Sequence, residues 1–510
     1  MKQLSSIALL VLIIFSSCKK INEPMLDAPP QPEVATKENI DAIIRSSLET
    51  QHKFEWSMTS PELVWSALQQ KDNMLSVGYQ PLNTGDIDNR IHTIDIQSSE
   101  WKSVKEKLIA QILASEQQLD KTLTREQVLI IEDETLPFIN VIVKNFATVK
   151  LLRNNSTVRY AEPMAYEPEP AVAADSDSGC GGNVAEGGLV AGVDYTSISP
   201  NAKQSWNYPY HKIPQAWAKS TGAGVKIFII DTGAEFDQDN LGTAFNQGSS
   251  SGRSVEKIVT LPRSTFLGIP TGSVETADDG CGHGTSMAGA AAAPRGTDGA
   301  AVGVAYNSNL VTCRAGADVL IDASREVTGV TNAYTNAANR ADVRIISMSM
   351  GRITGSSQIS DAINYAYGKG KLMFCAAGTS FGWTAGWYGV IFPAWLTKVN
   401  AVTGVRDNNF NQNCTACHDG AETDFTIVME KAANERHPLT LAMSDNAPST
   451  VGGSSVSTAT AAGIAALVWS RFPSYTRDEV LNKLISTSSN YPNKNGSYGW
   501  GNLNADAATN

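Results

Sequence analysis

The run Gly222-Ala223-Gly224-Val225-Lys226-Ile227-Phe228-Ile229-Ile230-Asp231-Thr232-Gly233 is bounded by glycines, rich in branched apolar residues, and ends in an acid. A strand this continuously apolar belongs in a parallel sheet buried on both faces, since a half-solvated strand alternates polar and apolar positions. An α/β fold follows. Open α/β sheets place their sites at the carboxyl ends of the strands, where Asp231 lies. With 510 residues, 42% of them apolar, the chain has room for about three domains of ~150 residues, or fewer large α/β ones. Its 51 acidic and 40 basic residues give a net charge of −11. Nucleic-acid binders are usually basic, so that partner class is excluded.

Two further stretches combine glycine with a reactive side chain. In Asp279-Gly280-Cys281-Gly282-His283-Gly284-Thr285-Ser286-Met287-Ala288-Gly289, glycines flank a histidine at the start of a small-residue helix, which allows close backbone packing around the imidazole. In Gly453-Ser454-Ser455-Val456-Ser457-Thr458-Ala459, a loop gives way to an Ala-rich run of good helix propensity. Ser455 therefore sits at a helix N-terminus, where unpaired N–H groups favour negative charge. Alone, Ser455 reads as a helix cap and His283 as a structural histidine. Their order along the chain with Asp231 reverses that reading.

Asp231, His283 and Ser455, each in its own glycine-framed motif, resemble the active-site motifs of the subtilisin-like serine proteases, in which the triad follows this order. The resemblance runs from about Trp206 to the C-terminus. It includes Gly303-Val304-Ala305 through Leu310-Val311, Ile345-Ile346-Ser347-Met348-Ser349-Met350-Gly351, Phe392-Pro393-Ala394, and Tyr498-Gly499-Trp500-Gly501. It implies a subtilisin-like three-layer α/β fold with a mostly parallel sheet over residues 191–510. It also implies peptide hydrolysis through an acyl-enzyme, without metal or cofactor. Ser455 Oγ would attack, His283 would act as general base and acid, and Asp231 would fix the imidazole. Ser349, Met350, Gly351, Ala376, Ala377, Gly378 and Ile391 would surround the substrate. Ile391 stands where subtilisins often have Gly, which implies a short pocket for small or medium apolar side chains. One position departs from the family. Subtilisins follow Ala-Ala-Gly with an Asn that donates to the oxyanion, whereas Ala376-Ala377-Gly378 is followed here by Thr379, a shorter donor. The alternative implied by that departure is a catalytically impaired, subtilisin-like binding protein.

Met1-Lys2, the apolar run Ile7 to Phe15, and Ser16-Ser17-Cys18 read as a targeting segment too short to span a bilayer. They resemble a bacterial lipoprotein signal over 1–18, with Cys18 as the lipidated residue; an ordinary signal peptide is the alternative. Export into the cell envelope or beyond follows in either case, where disulfides persist. Pro24, Pro29, Pro30 and Pro32 mark a tether. Helical periodicity recurs around Ile40 to Leu48 and Val104 to Leu119. Strands are expected at Phe138 to Val143 and Val158 to Ala161, around a short helix at Ala147 to Leu152. Leu136-Pro137-Phe138 through Val158-Arg159-Tyr160-Ala161-Glu162-Pro163 resembles the end of subtilisin propeptides. That implies an inhibitory α+β propeptide domain over 19–166. A linker rich in Pro, Ala, Asp and Gly follows over 167–190, where self-cleavage would free a catalytic fragment from the lipid.

Setting Cys18 aside from the seven cysteines leaves Cys180, Cys281, Cys313, Cys375, Cys414 and Cys417. A Cys180–Cys281 bond would tie the mature N-terminus to the histidine loop. Cys414-Thr415-Ala416-Cys417-His418 fits either a local disulfide or the pattern for covalent haem attachment. Asp237, Asp239 and Asn240 read as turn chemistry and not as a calcium loop.

Overall fold

A computed structural model of the chain describes residues 30–169, 179–181, 183–266, 269–380 and 389–510. The expected targeting segment with Cys18, most of the expected tether, and residues 170–178 and 182 of the expected linker lie outside them. The N-terminal region begins where the Thr36 hydroxyl accepts from Asn39 N–H and starts α1 (Lys37–Gln51). Ser60 caps α2 (Pro61–Gln69), with proline at its first position. Next come β1 (Met74–Tyr79), α3 (Ser99–Glu116), β2 (Leu129–Glu132), β3 (Phe138–Ile142), α4 (Phe146–Arg153) and β4 (Val158–Pro163). The strands form an antiparallel sheet in the order β2-β3-β1-β4. Periodicity alone indicates α3, β3, α4 and β4 to within a few residues, but not α2, β1 or β2.

The larger body contains β5 (Lys226–Asp231), β6 (Val255–Val259), α5 (His283–Ala292), β7 (Asn309–Arg314), α6 (Ser324–Asn339), β8 (Val343–Met348), α7 (Ser357–Gly368), β9 (Leu372–Ala376), β10 (Asn400–Arg406), β11 (Thr423–Glu430) and α8 (Gly453–Arg471). Seven strands form one parallel sheet in the order β11-β10-β9-β8-β5-β7-β6. The chain leaves β5, builds β6 and β7 on one side, and then crosses to β8 on the other. β5 is therefore the strand at which the order reverses.

Alternation along the strands makes three layers. Phe228, Ile230, Val311, Ile346 and Met373 enter a core shared with α6, α7 and the N-terminal region. Ile227, Ile229, Leu310, Ile345 and Leu372 enter a second core shared with α5 and α8. This is the α/β architecture expected from the sequence, preceded by an α+β unit.

The N-terminal sheet joins the body through buried polar contacts as well as apolar ones. Arg159 donates to both oxygens of Asp361 on α7 at 2.6 and 2.7 Å, and Tyr160 Oη donates to the same carboxylate at 3.1 Å. Glu162 accepts from the Ser357 N–H at 2.9 Å and its hydroxyl at 2.6 Å, capping α7 from outside. Ser76 Oγ donates to Gln358 Oε1 at 2.7 Å. Residue 167, the expected start of the linker, is instead fully buried between Arg352 and the backbone of Ile353 and Thr354. A chain segment with that many partners is part of the packed unit.

Removing one member of a buried ion pair strands the other, at a cost of about 3–5 kcal/mol. Asp361→Ala should therefore lower stability by about that amount in urea titration. Asp88→Ala, which removes the mostly exposed second partner of Arg159, should change it by under about 1 kcal/mol.

Candidate active site

Asp231 ends β5, His283 opens α5, and Ser455 is the third residue of α8. Because the strands are parallel, the loops after β5, β8 and β9 emerge from one edge of the sheet. α8 is buried all round from Gly453 to Trp469 and packs against α5, β8 and β9. Only small side chains permit that on every face, which accounts for its Ala, Gly, Ser and Thr content.

His283 Nδ1 lies 2.7 Å from Asp231 Oδ1, with both side chains essentially buried. Gly284 makes this approach possible, since a Cβ there would lie 2.3 Å from the Gly233 carbonyl oxygen. The loop before α5 is organised by Asp279, a fully buried residue to which the sequence reading assigned no role. Its Oδ1 accepts from the Gly282 N–H at 2.7 Å and the Thr232 hydroxyl at 2.7 Å. Its Oδ2 accepts from the Thr285 N–H at 2.8 Å and hydroxyl at 2.7 Å. Thr232 Oγ1 in turn accepts from the Gly284 N–H at 2.9 Å. One carboxylate therefore ties the end of β5 to the start of α5. The clue in the sequence is an acid placed to cap the helix that His283 opens. Burial pulls the His283 pKa down, but the charge and hydrogen bond of Asp231, with Asp279 behind it, outweigh burial and raise it above 6.5.

Ser455 has its N–H among those that a helix start leaves without an intrahelical partner. The neighbouring N–H, of Ser454, donates to Thr379 Oγ1 at 3.2 Å, and the two hydroxyls lie 2.9 Å apart. Ser454 Oγ also accepts from the Gly378 N–H at 3.1 Å. Gly453 is obligatory here, with φ +80° and a would-be Cβ 2.9 Å from Thr379 Oγ1. Thr379 thus lies beside the start of α8, joined to Ser454.

The loop bearing Thr379 is backed by the Cys-Thr-Ala-Cys-His segment. Cys414 and Cys417 are disulfide-bonded, which takes the two thiols that haem attachment would use. The His418 N–H donates to the Gly378 carbonyl at 3.0 Å, the Ser380 N–H donates to Ala416 at 2.7 Å, and His418 Nε2 meets the Ser380 hydroxyl at 2.8 Å. Burial lowers the His418 pKa to about 4, so its ring is neutral at physiological pH.

The expected substrate residues assemble around the same edge. Ser349 Oγ donates to the Ser455 carbonyl at 3.1 Å. Ile391 N–H donates to the Ala377 carbonyl at 2.9 Å, and a Cβ on Gly351 would lie 2.4 Å from Ile391 Cδ1. Met350 and Ala376 are buried beside them. Gly351, expected among the residues around the substrate side chain, has its backbone already paired. Its N–H donates to Val319 and its carbonyl accepts from Ile321, both at 3.0 Å. Asn240 is engaged by Asp298 and Gln247. Among the described residues, no group of three His, Cys, Asp or Glu side chains is placed to hold a metal ion.

Residues 222–501 match the family described as Peptidase_S8, the subtilase family. Alkaline elastase YaB of Bacillus sp. (strain YaB) is 30% identical over 293 residues, which cover 57% of this chain and 65% of that protein, just under two-thirds of its length. Subtilisin DY of Bacillus licheniformis is 30% identical over 287 residues, covering 56% of this chain and 91% of that one. The MycP3 protease from the type VII (ESX-3) secretion system superposes with a TM-score of 0.48 at 23% identity, covering 64% of this chain and 91% of that one.

Cys180 and Cys281 are bonded two residues from His283, closing a loop with a separation of 101 residues. Asn183 locks this strap by donating to the Cys281 carbonyl at 3.2 Å. A non-reducing peptide map should contain the Cys180–Cys281 link. Cys281→Ser should lower stability by about 4–5 kcal/mol on the chain-entropy estimate, less any strain released.

Proposed function

The chain belongs to the subtilase family, and from that premise we propose that it is a serine endopeptidase acting through Ser455, His283 and Asp231. The buried 2.7 Å contact between His283 Nδ1 and Asp231 Oδ1 carries the reading. It fixes the tautomer in which Nε2 is the basic nitrogen. Nε2 takes the Ser455 proton as Oγ attacks the scissile carbonyl, and returns it to the leaving amine as the acyl-enzyme forms. Asp231 holds the ring and stabilises the imidazolium. Water then enters by the same route in reverse and releases the acid.

The oxyanion is met by the Ser455 N–H at the start of α8 and by the Thr379 hydroxyl. Ser454 donates its N–H to Thr379 Oγ1, and its hydroxyl is placed to donate there too. If both do, the Thr379 proton goes to a third partner. Either hydroxyl of this 2.9 Å pair can be the donor; with Thr379 donating to Ser454 its proton is withheld from the oxyanion, and that close pairing is what favours the second reading, an impaired protease retained for binding.

The N-terminal region is read as an inhibitory propeptide and Cys18 as its lipid anchor. Protein or peptide substrates and this propeptide are the partners. A cut between Glu167 and Cys180 leaves the new N-terminus tied to Cys281. It also separates the lipid from the active site, so maturation releases the enzyme from the envelope.

A fluorophosphonate should label the wild-type chain at Ser455, while Ser455→Ala should remain unlabelled, full-length and membrane-bound. A chain that does not label is the impaired binding protein. For the active enzyme, kcat/KM should rise with pH through an apparent pKa above 6.5, because only neutral His283 is the base and its pKa is raised. Asp231→Asn should shift that midpoint down and lower kcat by about 10⁴. Thr379→Val should lower kcat by up to about 10²-fold if its hydroxyl meets the oxyanion.

A further inference from the structure

Arg352 directly follows the Ser349–Gly351 segment and is fully buried. Its own backbone is fixed by paired hydrogen bonds with Phe392 at 3.0 and 3.1 Å. Its guanidinium, however, is satisfied almost wholly by the N-terminal region. Nε donates to Glu167 Oε1 at 2.9 Å and a terminal nitrogen lies 2.7 Å from the same oxygen. The other contacts are to the Met164 carbonyl at 2.9 Å and the Tyr166 carbonyl at 3.3 Å. Among the described residues of the body, its single side-chain hydrogen bond is to Thr354 Oγ1 at 2.8 Å.

The Glu167 carboxylate is received by more than this cation. The Ile353 N–H donates to Oε2 at 2.7 Å, the Thr354 N–H reaches both oxygens at 3.2 and 3.3 Å, and the Thr354 hydroxyl donates to Oε1. Two successive backbone N–H groups, one hydroxyl and one guanidinium therefore converge on a single carboxylate. All of these donors belong to the body, and the carboxylate belongs to the segment that maturation removes. A buried guanidinium stripped of its anion is costly. Departure of the propeptide leaves a preformed receptor for negative charge beside the substrate segment.

We propose that Arg352, Ile353 and Thr354 form a carboxylate-binding subsite of the mature enzyme, which accepts a glutamate side chain of the substrate on the N-terminal side of the scissile bond. The side follows from the chain itself, since Glu167 precedes the tract in which the cut is placed. The propeptide then inhibits by presenting the residue that the site selects. The inference rests on the endopeptidase reading and names its substrate class as peptides with an acidic residue upstream of the cut.

The test uses the full chain after it has processed itself. Internally quenched peptides with a small apolar residue at the cleaved bond carry glutamate at successive upstream positions, each paired with its glutamine isostere. At one position glutamate should exceed glutamine at least tenfold in kcat/KM, with the difference residing in KM. Arg352→Gln should abolish the preference, bringing the kcat/KM of each glutamate peptide to that of its glutamine isostere, and Thr354→Val should reduce it. The glutamate–glutamine contrast in the wild-type enzyme judges the proposal even where Arg352→Gln fails to fold. Cleavage with no glutamate preference at any position, or a preference that Arg352→Gln leaves intact, overturns the subsite and spares the protease reading. A chain that neither labels with fluorophosphonate nor cleaves any peptide overturns that reading, and the subsite with it.

Discussion

The hydrogen bond between Asp231 and His283 joins a carboxylate and an imidazole with almost no access to water, and burying such a pair is costly unless the surrounding groups are fixed before it forms. Much of the larger body serves that condition. β5 is buried on both faces, so its last residue cannot move relative to the sheet. Asp279 and Thr232 tie that last residue to the first turn of α5 through side chains and backbone together. α8, buried on every side, brings its own N-terminus to the same edge. The charge distribution adds a further effect, since two carboxylates act on His283 and hold its proton more firmly than an isolated imidazole would.

The same logic extends to the loop that carries Thr379. A loop end has no ladder of its own, and here it borrows one from residues 416–418, whose backbone pairs with it on one side while Ser454 bonds it on the other. The short disulfide at Cys414 and Cys417 closes the supporting turn. What looks in the sequence like an isolated cysteine motif is a brace behind Gly378, and the neutral, buried His418 forms its inner face.

Local pattern made β5 and the three glycine-framed motifs legible, and the family resemblance implied the parallel sheet around them. β5 is apolar on consecutive residues because it has two cores to fill, Gly284 beside His283 marks a place where backbone touches backbone, and Gly453 near Ser455 makes room for the Thr379 side chain. The elements that escaped notice are those whose pattern is not local. β1 is buried along nearly its whole length but is only six residues long and contains Ser76 and Gly78, so no period emerges. Asp279 lies in the glycine-framed motif of His283, yet its role depends on Thr232, far away in the chain. Glu167 has linker-like neighbours in sequence and a fully buried ion pair in space, and composition cannot register a partner that comes from residue 352.

Gly351 pairs its N–H and carbonyl with Val319 and Ile321, so an extended peptide arriving at this edge meets a backbone already satisfied. On the proposed endopeptidase reading, binding there would be an exchange of partners, in which these two hydrogen bonds are broken for two made to the peptide. The net worth of such bonds is only about 0.5–1.5 kcal/mol each even when they form from water, and an even trade yields less. Main-chain affinity, which elsewhere would reward any stretched polypeptide alike, would then be largely cancelled. The free energy left to separate one sequence from another would reside in side chains, and such an edge would act as a filter against indiscriminate capture.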